Sequence, residues 1–315
     1  MRLPQNIIVY CLLLFILQTF CGSIWAQDSA SLSPTLSHKR KWLVAGGHAA
    51  MWTGTYIALD KAWYDGYEKR GFHLFDDGKE WNQMDKLGHV WTAYQLARAS
   101  GTTWQWAGIK PSTATWLGGA SAVAFQSIIE LQDAYSDKWG FSWWDMASNV
   151  VGSGAYVAQQ LTWGEQRIQV KMGYFPQDYP GELVSRRNEL FGKGSVERIL
   201  KDYNGQTYWA SINLRSFMPE TNIPRWLNLA VGYSSDLMVG GMDNTFTDEN
   251  GELKNYNSID RTRRIYLSAD LDLTKIVTRS KFLRTIFFTI NAIKIPAPAI
   301  EFNSRRQLRL HAIHH

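Results

Sequence analysis

The sequence predicts an α+β protein, a four-helix unit with a polar core followed by an antiparallel sheet region. Three observations carry this. Four apolar stretches before residue 165 have helical length and are rich in small residues. Past Gly164 the pattern changes from helical to alternating. Within the helical stretches, polar residues recur four apart, the spacing that puts them on one helix face.

The chain opens with "MRLPQNIIVYCLLLFILQTFCGSIWAQDSA": one early Arg, a continuous apolar run, and a small residue before a polar segment. This is how a secretory signal peptide is built, so residues 1–26 are expected to be removed and the mature chain to begin near Gln27. The apolar part is short for a membrane anchor and lacks a basic stop-transfer flank. A lipoprotein signal needs a small residue before the modified cysteine, and Phe20 precedes Cys21, so ordinary cleavage is expected over lipidation. Both cysteines, Cys11 and Cys21, lie in this segment. Export without remaining cysteine points to the periplasm or outer membrane of a Gram-negative bacterium, with stability from packing and no disulfide or thiolate metal ligand.

A polar linker over 27–40 leads into a helical domain expected over 41–165. Its first helix, "KRKWLVAGGHAAMWTGTYIALD", starts from a basic cluster and stays apolar to Asp60. His48 on it reads as a core histidine with a satisfied ring nitrogen. A charged aromatic loop follows, then a helix from about Asp85 to Ser100. The third, roughly 112–131, presents Gly118, Gly119, Ala120, Ser121, Ala122 and Ala124 for close helix contact, and the fourth, about 144–161, repeats this with Gly152, Ser153 and Gly154. These helices suit either a buried bundle or a marginal membrane bundle. The mean hydropathy of −0.27 does not separate the two.

The strand-rich region is expected over 166–315. "TYWASINL", "WLNLAVGY" and "RIYLSADLDL" alternate, as do "QRIQVKMGYF" and "RQLRLHAI", which gives about five strands, each with one wet face. An outer-membrane barrel shows such alternation too, but closes only with eight or more strands, so a small antiparallel sheet packed on helices is the economical reading. "KFLRTIFFTINAI", 281–293, reads as an amphipathic surface helix, with a strand as the alternative. "DYNGQT" reads as a plain tight turn, and His311, His314 and His315 receive no function.

The net charge of +5 does not point to nucleic acid, because the basic residues are not interleaved with aromatics and an exported chain meets little of it. The expected acidic partner is membrane lipid or the envelope surface. Fifteen tryptophans, most before residue 165, suit a membrane interface or a large aromatic core equally.

Asp85 and His89 stand four apart with Lys86 between them. Glu130 lies near the end of the third helix with Asp133 beyond it, and Asp145 and Asn149 stand four apart on the fourth. Three helices thus each carry a polar pair on a face that should be buried, and buried carboxylates need partners. The simplest arrangement brings them together. Three chemistries fit such a cluster. It can be a hydrogen-bonded network fixing helix register. It can be a catalytic site in which His89 is the general base, oriented by Asp85 or Glu130 beside Asp145. It can be a metal site, His89 with Glu130 and Asp145 giving one nitrogen and two oxygens, poor for structural zinc but acceptable for a harder ion. No nucleophile motif, phosphate loop or H-E-x-x-H strengthens the enzymatic reading, and no cofactor is indicated.

The string "FHLFDDGKEWNQMDKLGH", followed by "IIELQDAYSDKWGFSWWDMASNVVG", resembles the YfiM-like family of predicted periplasmic lipoproteins, and its D-K-x-x-H, E-x-x-[QD], D-x-x-x-N-x-x-G order is more distantly similar to VanZ-like membrane proteins. The resemblance covers roughly 45–165. It implies a compact helical unit at the envelope with Asp85, Lys86, His89, Glu130, Asp145, Asn149 and Gly152 at the family's polar positions. It implies no activity, and the absent lipobox departs from the lipoprotein pattern.

Overall fold

The structure, a computed structural model, describes residues 37–60, 68–248 and 250–315. The signal-peptide segment and most of the linker lie outside them. The described chain is α+β and groups into two units that interleave along the sequence. The helical unit takes residues up to Asp76, His89–Arg167 and Asp272–Ala292, and the sheet unit takes Asp77–Gly88, Ile168–Leu271 and Ile293–His315.

The helical unit contains α1 (His38–Leu59), most of α2 (Met84–Trp106), α3 (Pro111–Ala134) and α4 (Trp143–Trp163). Three of the four have local boundary signals: the Ser37 and Ser142 side chains cap α1 and α4, Pro111 opens α3, and Gly164 closes α4 in a left-handed conformation. No helix of the described residues is long and apolar enough to cross a membrane. The small residues sit where the helices cross. A Cβ added at Gly118 would lie 2.5 Å from the Ala97 carbonyl oxygen on α2, and one at Gly152 would lie 2.1 Å from that of Val90. Backbone meets backbone there, so only glycine fits. His48 bonds Val44 O and Ser100 Oγ through its two ring nitrogens and stacks on Trp104, which fits the core-histidine reading. Residues 281–293 form a helix over Lys281–Ile290. Its buried Phe288 meets Arg98, which bonds the Phe288 carbonyl at 2.7 Å and lies over its ring.

The sheet unit is a six-stranded antiparallel sheet in the order β1 (Ile168–Tyr174), β2 (Gln206–Asn213), β3 (Leu227–Asp236), β6 (Thr262–Leu271), β7 (Ala297–Asn303), β8 (Leu308–His314). A hairpin of β4 (Thr245–Thr247) and β5 (Leu253–Asn255) occupies the long β3–β6 connection, and two short helices, α5 (Val184–Phe191) and α6 (Ser195–Lys201), precede β2. The expected turn at Asn204-Gly205 is present, and the buried Asn204 side chain ties it to both backbone groups of Met238.

Both faces of this sheet alternate as expected, but the buried face is the polar one. On β3, Asn228, Ala230, Gly232 and Ser234 are buried while Leu229 and Val231 are exposed. On β6, Tyr266, Ser268 and Asp270 are buried while Ile265 and Leu267 are exposed, and on β7 Glu301 and Asn303 are buried while Ile300 and Phe302 are exposed. The interior holds a Lys171–Asp270 ion pair at 2.8 Å with both side chains fully buried, an Arg264–Asp236 pair, and Glu301 bonded by His311 at 2.8 Å. Trp209, Tyr266 and His314 pack among these groups.

Candidate functional site

The cluster in the helical unit is built from α2, α3 and α4. His89 lies in the second turn of α2, Gln126 and Glu130 lie one turn apart on α3, and Asp145 and Asn149 lie one turn apart at the start of α4. Asn149 is the hub. Its Oδ1 accepts from Gln126 Nε2 at 2.7 Å and from His89 Nδ1 at 3.0 Å, and Gln126 also donates to the His89 carbonyl at 3.3 Å. With Nδ1 committed to Asn149, His89 presents Nε2 to the two carboxylates, 3.6 Å from Asp145 Oδ1 and 3.9 Å from Glu130 Oε1.

The capping of α4 completes the arrangement. Ser142 Oγ accepts the Asp145 amide at 3.1 Å, and the Ser142 amide donates to Glu130 Oε2 at 3.4 Å. One serine therefore both starts the helix that carries Asp145 and Asn149 and supplies a donor to Glu130. The other Glu130 oxygen, Oε1, is buried without a hydrogen bond, as is Asn149 Nδ2. Burial pushes the Glu130 carboxyl up to about 8; Asp145 and Asp133 push the same way, against His89 and the Ser142 amide. Near neutral pH Glu130 thus holds a proton beside the histidine. Chemically, the group can share protons between a nitrogen and two carboxyls.

The structure brings together His89, Glu130, Asp145 and Asn149. Asp133 sits half-buried in the last turn of α3 and acts on Glu130 through charge. Asp85 and Lys86, in the first turn of α2, group with the sheet unit. Lys86 bridges Asp77 at 2.7 Å and Asp85 at 2.8 Å, and the Tyr203 hydroxyl donates to Asp85 at 2.7 Å. Gln126, Ser142 and Asp77 were not singled out in the sequence. Gln126 stands four before Glu130 and Ser142 three before Asp145, so helix spacing and the S-x-x-D cap pattern pointed to the first two.

Residues 63–160 match a family model. Its description is "Predicted periplasmic lipoprotein (DUF2279)". The matched segment contains every residue of the cluster together with Asp77, Asp85 and Lys86, and it ends before β1. The description fits an exported envelope protein and gives no molecular function. No curated protein and no solved structure matches the chain.

Proposed function

We propose that this is an exported envelope protein with a structural or binding role at the membrane, built on a YfiM-like helical unit whose polar core fixes helix register. The observation that carries this reading is how little of the cluster is open: Asn149 is fully buried, Glu130 is 1% exposed, and the most open side chain, His89, is 17% exposed. A reaction site has to admit a substrate to its reacting atoms, whereas a register-fixing network works best closed. Exposed Trp42, Trp116, Trp143 and Trp144 on the same unit support placement at a lipid interface, where the indole ring is buried and its N–H stays wet.

The test is to measure the melting temperature of Glu130→Ala and Asp145→Ala together with envelope fractionation under salt or carbonate wash. Lowered melting temperatures and retention in the membrane fraction until washed support the proposal. Recovery of the native protein in the free periplasm without either wash overturns it.

An envelope hydrolase or lipid-modifying enzyme is the second reading, favoured by one observation. Asn149 orients His89 so that Nε2 faces Glu130, a carboxyl that is protonated near neutral pH, and this is how a base is paired with an acid. Full stability with loss of a cellular phenotype in both Glu130→Ala and Asp145→Ala would favour this reading over the network.

A further inference from the structure

The buried, charged interior of the sheet and its exposed apolar exterior call for a solvent other than water on the outside. The exposed residues are not scattered. Strand register aligns them into rows: Val231, Leu267, Ile300 and Leu310 are successive cross-strand partners from β3 to β8, and Ile265, Phe302 and Leu308 are partners across β6, β7 and β8. In these rows Ile265 and Phe302 are each 52% exposed and Leu310 is 77% exposed. A shallow groove of about 640 Å³ runs across the face between Leu229, Leu267, Ile300 and Leu310. A sheet in water buries its apolar face and wets its polar one, whereas a sheet in lipid shows the opposite alternation.

The edges of the apolar face are consistent with this. At the end where β6 begins and β7 turns into β8, Arg263, Arg305 and Arg306 are all exposed, with Arg263 joined to the turn through Ser304. At the opposite end, Trp226 lies exposed just before β3. An apolar band with cationic residues at one rim and an aromatic residue at the other matches hydrocarbon bounded by anionic headgroups. The outer edge of β1 is covered in part, as a sheet in lipid requires. The Lys294 amide donates to Met172 O at 2.9 Å.

We infer that the apolar face of β3, β6, β7 and β8 is a lipid-contacting surface, seated in the hydrocarbon of an anionic phospholipid bilayer with the arginine cluster at the phosphates. This deepens the envelope reading and rests on it.

The test uses the purified full chain and vesicles of phosphatidylethanolamine and phosphatidylglycerol. Flotation with these vesicles is expected, and Leu267→Glu with Ile300→Glu should weaken partitioning at least tenfold. Arg305→Glu with Arg306→Glu should weaken it several-fold and remove most of its salt dependence. Because the charged variants can misfold, a second measurement uses Leu310→Cys carrying a fluorophore, with brominated acyl chains as quencher. Strong quenching supports the inference. No flotation and no quenching overturns it, as does cross-linking of Leu310→Cys between two copies in place of quenching, which would make a second chain the occupant. If the protein fails to float but stays in the membrane fraction of cells, only this inference falls; if it is free in the periplasm, the envelope reading falls with it.

Discussion

Replacing Glu130 by glutamine tests the cluster at its most perturbed group. The carboxyl ordinarily titrates at 4.5 and is raised to about 8 by burial in the folded chain. Below the ordinary value both folded and unfolded chains carry the proton, and the stability this site contributes is fully present. Between that point and about 8 the unfolded chain releases the proton while the folded chain keeps it, so stability falls by about 1.4 kcal/mol per pH unit, and above about 8 the loss is complete. Over the whole window the loss is on the order of 5 kcal/mol, which at roughly 2–4 °C per kcal/mol corresponds to about 10 °C or more in melting temperature. Glutamine has the shape of the protonated acid and does not titrate. Thermal unfolding followed by circular dichroism from pH 5 to 8.5 should therefore show the wild type losing stability with pH more steeply than Glu130→Gln, with the variant ahead at the alkaline end. Parallel curves would mean that Glu130 does not hold its proton in the folded chain, and the account of the cluster would fail with it.

Other substitutions probe the surrounding structure. Asn149→Ala removes the acceptor shared by Gln126 and His89 and should cost about 1–3 kcal/mol for each donor it strands, read by urea denaturation. Gly152→Ala forces a methyl group to within 2.1 Å of the Val90 carbonyl oxygen, a backbone atom that cannot turn aside, and should destabilise the helical unit by about 3 kcal/mol or prevent its folding. In the sheet, Asp270→Asn strips the carboxylate from a fully buried lysine, Lys171, and should cost about 3–5 kcal/mol, whereas Lys171→Met with Asp270→Leu should recover most of that loss in the same denaturation assay.

The convergence of His89, Glu130, Asp145 and Asn149 was legible because helix geometry links sequence spacing to a face. Pairs four apart on apolar helices can only point the same way, and the small residues at Gly118 and Gly152 bring the three helices close enough for the pairs to meet. The hub role of Asn149 was not legible, since it depends on which amide atoms meet across helices. In the sheet, period-two alternation shows that two faces differ and is silent on which faces inward. Lys171, Asp270 and Glu301 alternate correctly with the apolar set in the sequence, yet their burial follows from pairing partners up to a hundred residues away. The seventh strand was hidden by Pro298, a residue that argues against a strand interior, and the β4–β5 hairpin by strands only three residues long.

The turn before α2 shows why the matched segment does not set its own conformation. Trp81, Asn82 and Gln83 all adopt positive φ, at 49°, 49° and 65°, and each such non-glycine residue costs roughly 1–2 kcal/mol. A run of three persists only where its surroundings over-determine it. Here the Trp81 amide donates to Gly241 O at 2.8 Å, Asn82 Nδ2 to Ser235 Oγ at 2.8 Å, and the Tyr233 hydroxyl to Asn82 O at 2.8 Å. All three partners lie in or just after β3, beyond residue 160 where the family match ends. This turn leads directly into Asp85, Lys86 and His89, so the start of the helix that carries the histidine is held by the sheet region of the sequence. The matched segment includes this turn, but the residues that hold it lie beyond the segment.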